Sequence, residues 1–209
     1  MIPRMRSFGH GLGAHNSSRS RTRRGFLPPR ALAIALALIA ATGLPAQESR
    51  PGEYQVKAAY LFNFGKFVKW PAPIPAEKDA SFTFCVLGQD PFGPSLDSIL
   101  AGEDLAGKPV TVRRIAKPQD SGPCRILFIS STEESRLKEI LTVIDDSGVL
   151  TVSDIPGFSR RGGMIQFVVE GNKVRFEINL TSAENAKLTL SSELLKVAAA
   201  VRRNSPPGD

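Results

Sequence analysis

Histidine, the side chain most often used to move protons or ligate zinc, occurs only at His10 and His15. The remainder of the chain has no imidazole for Ser-His-Asp or Cys-His nucleophilic schemes, nor for His-ligated zinc or iron. Cys85 and Cys124 are the only cysteines, too few to hold a metal unaided. The adjacent acids Glu133/Glu134 and Asp145/Asp146 resemble an acid–base pair only on paper, because neighbours on a helix do not face each other. Gly88 and Gly93 have the spacing of a phosphate loop after a strand, but Pro94-Ser95 stands where such a loop needs its lysine. These residues predict a turn, and the chain as a whole predicts no catalytic residue, no metal and no cofactor. The segment from Ser153 to Gly163 is polar, Gly-rich and expected to be flexible. It offers Asp154, Arg160 and Arg161 beyond a strand end, where open α/β sheets bind ligands. A small-ligand site at Gly88 and Asp154 is accordingly one reading of the chain.

The net charge of +7 belongs to the first 46 residues. They hold seven arginines, no lysine and no acid, and removing them leaves 20 basic residues against 20 acids. The basic balance is therefore no argument for a nucleic-acid partner. A basic front, an apolar run from Ala31 to Leu44 and small residues at Leu44-Pro45-Ala46 match an export signal. The apolar run is 14 residues, short of the roughly 20 that span a bilayer. Arg23-Arg24, followed by Gly25-Phe26-Leu27, is similar to a twin-arginine signal. Residues 1–46 are thus expected to direct export to the periplasm and be cleaved. In that oxidising compartment two cysteines predict one disulfide, Cys85–Cys124.

One domain is expected over residues 47–203, with 204–209 a disordered tail. Glu53 to Trp70 reads as a helix with Val56, Ala59, Tyr60, Phe64, Phe67 and Val68 on its apolar face. Strands are expected at 82–87, 110–115, 125–130 and 149–152, and short helices near 95–100 and 133–144, the latter capped by Ser131 or Thr132. Cys85 and Cys124 would then sit on buried strands. Residues 164–169 and 173–178 alternate around Gly171-Asn172, the pattern of a hairpin. A last helix is expected over 192–203, and Asn179 is expected to cap or orient the segment after the hairpin. The fold class is α/β: a single-domain sandwich with a mostly parallel central sheet, flanking helices and an antiparallel edge hairpin.

Several segments resemble the YfiR/HmsC-like family of small periplasmic proteins. They are Glu53 to Phe64 with Phe67 and Trp70, Phe84 to Gly88, Cys124 to Ser130, Leu150 to Asp154, Gly162 to Ile165, Phe176 to Asn179, and Ser191 to Lys196. The resemblance implies a non-enzymatic regulator that binds the periplasmic sensor domain of a membrane-bound diguanylate cyclase. It would inhibit the cyclase and so restrain cyclic-di-GMP synthesis and biofilm formation. A sensor histidine kinase is the alternative partner, and a homodimer is compatible with the family. Cys85 and Cys124 match the first of two cysteine pairs found in such proteins, and the second pair has no counterpart. Aromatic and arginine side chains dominate binding hot spots, so the contact residues are expected to be Phe62, Trp70, Phe158, Arg160 and Arg161.

Overall fold

The computed structural model describes residues 51–71, 80–145 and 147–203. The expected export signal, with Arg23 and Arg24, and the expected tail lie outside these residues. Helix α1 (Pro51–Phe67) has Glu53 in its first turn and Lys66 in its last, both favourable to the helix dipole. It ends before Trp70 because β1 (Val68–Lys69) leaves the helical path to pair with β9 (Thr189–Leu190) in a small antiparallel sheet.

The main sheet contains β2 (Phe82–Leu87), β3 (Asp104–Leu105), β4 (Lys108–Ile115), β5 (Ile126–Ile129), β6 (Leu150–Ser153), β7 (Ile165–Glu170), β8 (Lys173–Asn179) and β10 (Ala200–Arg202). Their order is β10-β8-β7-β6-β5-β2-β4-β3. The pairs from β4 through β7 are parallel, β7–β8 is the antiparallel hairpin, and β10 runs parallel to β8. The fold is therefore the mixed α/β class expected, with one difference. The hairpin is not the sheet edge, because β10 lies beyond it.

The central strands read Phe-Thr-Phe-Cys-Val-Leu and Ile-Leu-Phe-Ile, apolar on both faces and buried throughout. Alternation then assigns each residue to one of two cores. Phe84, Val86, Ile126 and Phe128 pack with α1 and with α2 (Pro94–Leu100). Cys85, Leu87, Leu127 and Ile129 pack under α3 (Leu137–Ile144), which contributes Leu137, Ile140 and Ile144. Cys85 and Cys124 form a disulfide on this second face, with Cα atoms 5.8 Å apart. Cys124 is buried, but it precedes β5 instead of opening it.

Three further differences have local causes. The helix expected at 133–144 is a 3-10 turn over Ser131–Arg136 followed by α3. The N-cap is Ser130, whose hydroxyl accepts from the Thr132 amide. The helix expected at 192–203 stops at Val197 as α5 (Ser192–Val197), because Ala199 N–H donates to the Phe176 carbonyl at 2.8 Å and carries the chain into β10. Finally, Asn179 caps a helix not anticipated, α4 (Leu180–Asn185), accepting from Ser182 N–H at 3.1 Å.

Candidate protein-docking face

Helix α1 is held to the sheet by a buried charge cluster. Lys57 has only 3% of its side chain exposed, and its Nζ lies 2.8 Å from Glu53 Oε1 and 2.7 Å from Asp154 Oδ2. Asp154 follows β6 directly, so the pair joins the helix to a strand end. The Tyr54 hydroxyl donates to the same Oδ2 at 2.9 Å, and its ring lies 4.3 Å beneath the Lys57 ammonium. Burial, then the Asp154 charge, pushes the Tyr54 hydroxyl far above its ordinary range, so it stays a donor. Asp154 Oδ1 is buried without a hydrogen-bond partner among the described residues. Asp154 thus anchors a helix.

Gly88, the other half of the expected ligand site, lies at the end of β2 under a different cover. A Cβ there would come within 2.7 Å of Thr132 Oγ1 and 2.8 Å of Glu133 Cγ. Gly88 and Asp154 end strands that are separated by β5, and the 131–136 turn roofs one while α1 covers the other. The structure does not join them into one site.

The loop carrying Phe158, Arg160 and Arg161 is also unlike its expectation. A 3-10 turn spans Phe158–Arg161, and Phe158 and Ser159 are fully buried. The Ser159 amide and hydroxyl both donate to Gln166 Oε1, at 3.1 and 3.2 Å. Asn179 Nδ2 donates to the Ser159 carbonyl at 2.8 Å. Glu177 Oε2 lies 3.0 Å from the Ser159 hydroxyl and 3.2 Å from Arg202 Nε. These bonds staple the loop to β7, β8 and β10, so it is not a flexible arm. Phe158 is a core residue and offers no contact surface. Arg160 and Arg161 are exposed, and Arg161 pairs with Glu134 at 3.1 Å.

The aromatic helix is corrected in the same sense. Phe62 is buried, with Lys66 Nζ 4.1 Å above its ring. Trp70 is half-buried, packs edge-on against Phe82 at 5.2 Å, and its Nε1 has no acceptor among the described residues. The exposed apolar residues of α1 are instead Val56 at 44% and Phe67 at 39%. With Tyr60 and Asn63 they fall at intervals of four, three and four, one stripe along the outward side.

Two grooves border that stripe, and Tyr60 lines both. One, of 690 Å³, lies against the hairpin and includes Val56, Val169, Val174, Lys173 and Arg175. The other, of 260 Å³, lies against α5 and includes Phe64, Phe67, Leu194 and Val197. Val169 and Val197 are themselves exposed. Val56 and Phe67 read as core from their spacing. The available signal was that α1 is apolar on nearly every side, which leaves a second stripe once the first is buried.

Among the described residues no helix is long and apolar enough to cross a membrane. No group of His, Cys, Asp and Glu among them is arranged to hold a metal ion.

A family model described as YfiR/HmsC-like matches residues 54–199, which include α1 from Tyr54 onward, both cysteines, the hairpin and α5. Among solved structures, a conserved domain protein from Vibrio cholerae O1 biovar El Tor str. N16961 is 13% identical with a TM-score of 0.44. The match covers 57% of this chain and 54% of that one. The ABC domain in complex with L-Trp from Streptococcus pneumonia is 12% identical with a TM-score of 0.42, over 58% of this chain and 55% of that one. The chain spans about half the length of each.

Proposed function

The chain belongs to the YfiR/HmsC-like family, periplasmic and regulatory, and from that premise we propose that it acts by docking onto the periplasmic sensor domain of a membrane signalling protein. The partner in this reading is a diguanylate cyclase, which the bound protein inhibits, lowering cyclic-di-GMP and biofilm formation. A sensor histidine kinase is the alternative. Export through residues 1–46, with Arg23-Arg24 selecting the twin-arginine route, brings the domain to that compartment.

The observation that carries the proposal is the Val56-Tyr60-Asn63-Phe67 stripe between its two grooves. A helix whose inner side already fills the core gains nothing in folding from the parts of Val56 and Phe67 that remain in water. Exposed apolar side chains contiguous with grooves mark interaction surfaces. The face offers no nucleophile–base pair and so serves occupancy: the bound domain holds the sensor in one conformation.

The experiment is crosslinking and co-purification of the full chain from envelope membranes, with Val56→Asp and Phe67→Asp variants. Each substitution is expected to weaken capture of a sensor by about 2 kcal/mol or more, as for hot-spot residues. Their melting temperatures should stay near wild type because both positions are exposed. Arg160→Ala/Arg161→Ala tests whether the stapled loop adds to the same surface. Undiminished capture by both aspartate variants would refute the docking face.

A further inference from the structure

Resting on that docking reading, we propose that the partner's contact segment is an extended strand, apolar and acidic by turns, which adds to the open edge of β8 beside α1. The wider groove is lined by the consecutive residues Asn172 to Arg175, so it runs along the strand edge and not over one face of the sheet. Glu170 and Lys173 close a two-residue turn, and such a closing pair exchanges its hydrogen bonds. The next pair, Val169 and Val174, therefore turns its backbone groups away from the hairpin. Two residues on, Phe176 does the same, and its carbonyl accepts from Ala199 N–H at 2.8 Å as the chain enters β10. β10 then covers β8 from Glu177 to Asn179. At Val174 the edge is open. Its N–H has no backbone partner among the described residues, and its carbonyl meets the Tyr60 hydroxyl at 3.5 Å, long for a hydroxyl donor. An extended segment satisfies both groups, whereas a helix already bonds its own backbone internally.

The pleat sets which side chains that strand carries. Those on the α1 side meet Val56, Tyr60 and Val174. Those on the other side meet Lys173 and Arg175, which flank Val174 and so project from the sheet face away from α1. Neither cation forms an ion pair among the described residues. Glu170 stands opposite Lys173 in the ladder without pairing to it, and Glu177 is committed to Arg202 and the Ser159 hydroxyl. Opposite charges on neighbouring strands attract and like charges repel, so Lys173 and Arg175 select acids at alternate positions of the incoming strand. A second copy of this chain is a poor occupant for the same reason. Its own β8 edge would set Lys173 and Arg175 against their counterparts.

Synthetic peptides of roughly 6–8 residues, the length of an ordinary strand, test this. One alternates valine with glutamate and another valine with lysine. Two more repeat the glutamate sequence with N-methyl groups on the valine amides or on the glutamate amides. Each is titrated into the isotopically labelled full chain. The glutamate peptide is expected to bind about tenfold tighter than the lysine peptide, shifting the Val174 amide and protecting it from hydrogen exchange. One N-methylated version should lose binding and the other keep it, because alternate amides of a strand face its neighbour. The charge preference should shrink between ~0.05 and ~0.5 M salt, and Lys173→Glu/Arg175→Glu should reverse it.

Equal binding of the glutamate and lysine peptides, indifference to both N-methylations, shifts confined to other surfaces, or peptide-free self-association through the Val174 edge would overturn the inference. The membrane partner separates this failure from that of the docking reading. If Lys173→Glu/Arg175→Glu leaves its capture intact while Val56→Asp abolishes it, the docking face stands and the acidic strand falls. If Val56→Asp has no effect on capture, the docking reading itself is refuted.

Discussion

Replacing Lys57 by methionine removes one charge from the interior while keeping most of the aliphatic stem. Lys57 is 3% exposed, Asp154 13% and Glu53 25% at the side chain. Glu53 can turn toward water when its partner is lost. Asp154 cannot, and it retains only the Tyr54 hydroxyl on Oδ2, with Oδ1 still unpartnered. Breaking a buried pair from one side costs about 3–5 kcal/mol. With one of the two carboxylates free to rehydrate, the lower end applies, about 3 kcal/mol. For a domain of this size that is a fall of roughly 6–12 °C in Tm. Urea unfolding followed by tryptophan fluorescence measures it. The double variant Lys57→Met/Asp154→Asn removes the orphaned charge and should return to within about 1 kcal/mol of wild type. A single variant costing less than about 1 kcal/mol, or a double variant no more stable than the single, would refute the anchoring role of the cluster.

Gly163→Ala should destabilise by about 2–3 kcal/mol, since its Cβ would sit 2.1 Å from Cε1 of the fully buried Phe158. Gly52→Ala, with nothing within 4 Å, is the matched control and should be near neutral by the same thermal melt. Cys85→Ser/Cys124→Ser opens a crosslink between residues 39 apart. On the chain-entropy relation it should cost about 4 kcal/mol, read from the urea midpoint against the oxidised parent. Hydrogen bonding to Arg202 holds the Glu177 carboxyl below its usual range, against the opposing effect of burial and with help from Ser159. Its stabilisation is therefore complete above the unfolded pKa and is lost as pH falls through the folded one. Glu177→Gln should flatten that acid limb, and an unchanged slope of stability against pH below pH ~4.5 would refute the Arg202 pairing.

The parts of the fold readable from sequence are those whose pattern has one physical solution. Short, largely apolar runs at 82–87 and 126–129, rich in β-branched and aromatic residues, read as strands covered on both faces, and the alternation of 173–178 after Gly171-Asn172 reads as a hairpin. Cys85 on one such segment and Cys124 just before the other, expected in an oxidising compartment, are close enough in this fold to be joined. The absence of imidazole after His15 likewise narrows the chemistry without reference to structure.

Tertiary structure decided which residues face water, and so the site. Periodicity identifies the buried side of a helix only when the other side is polar, and α1 is apolar nearly all round. Spacing puts Phe67 on the core face and Phe62 in the contact surface, and the packed structure reverses the two. The Ser153–Gly163 loop looked mobile because its bonds to Gln166, Glu177 and Asn179 join residues distant in sequence. The Ala-rich end after α5 has helical propensity, but the open edge of β8 and the Phe176 carbonyl drew it into a strand. In each case a local preference of a few tenths of a kcal/mol per residue yielded to contacts that exist only once the sheet has formed.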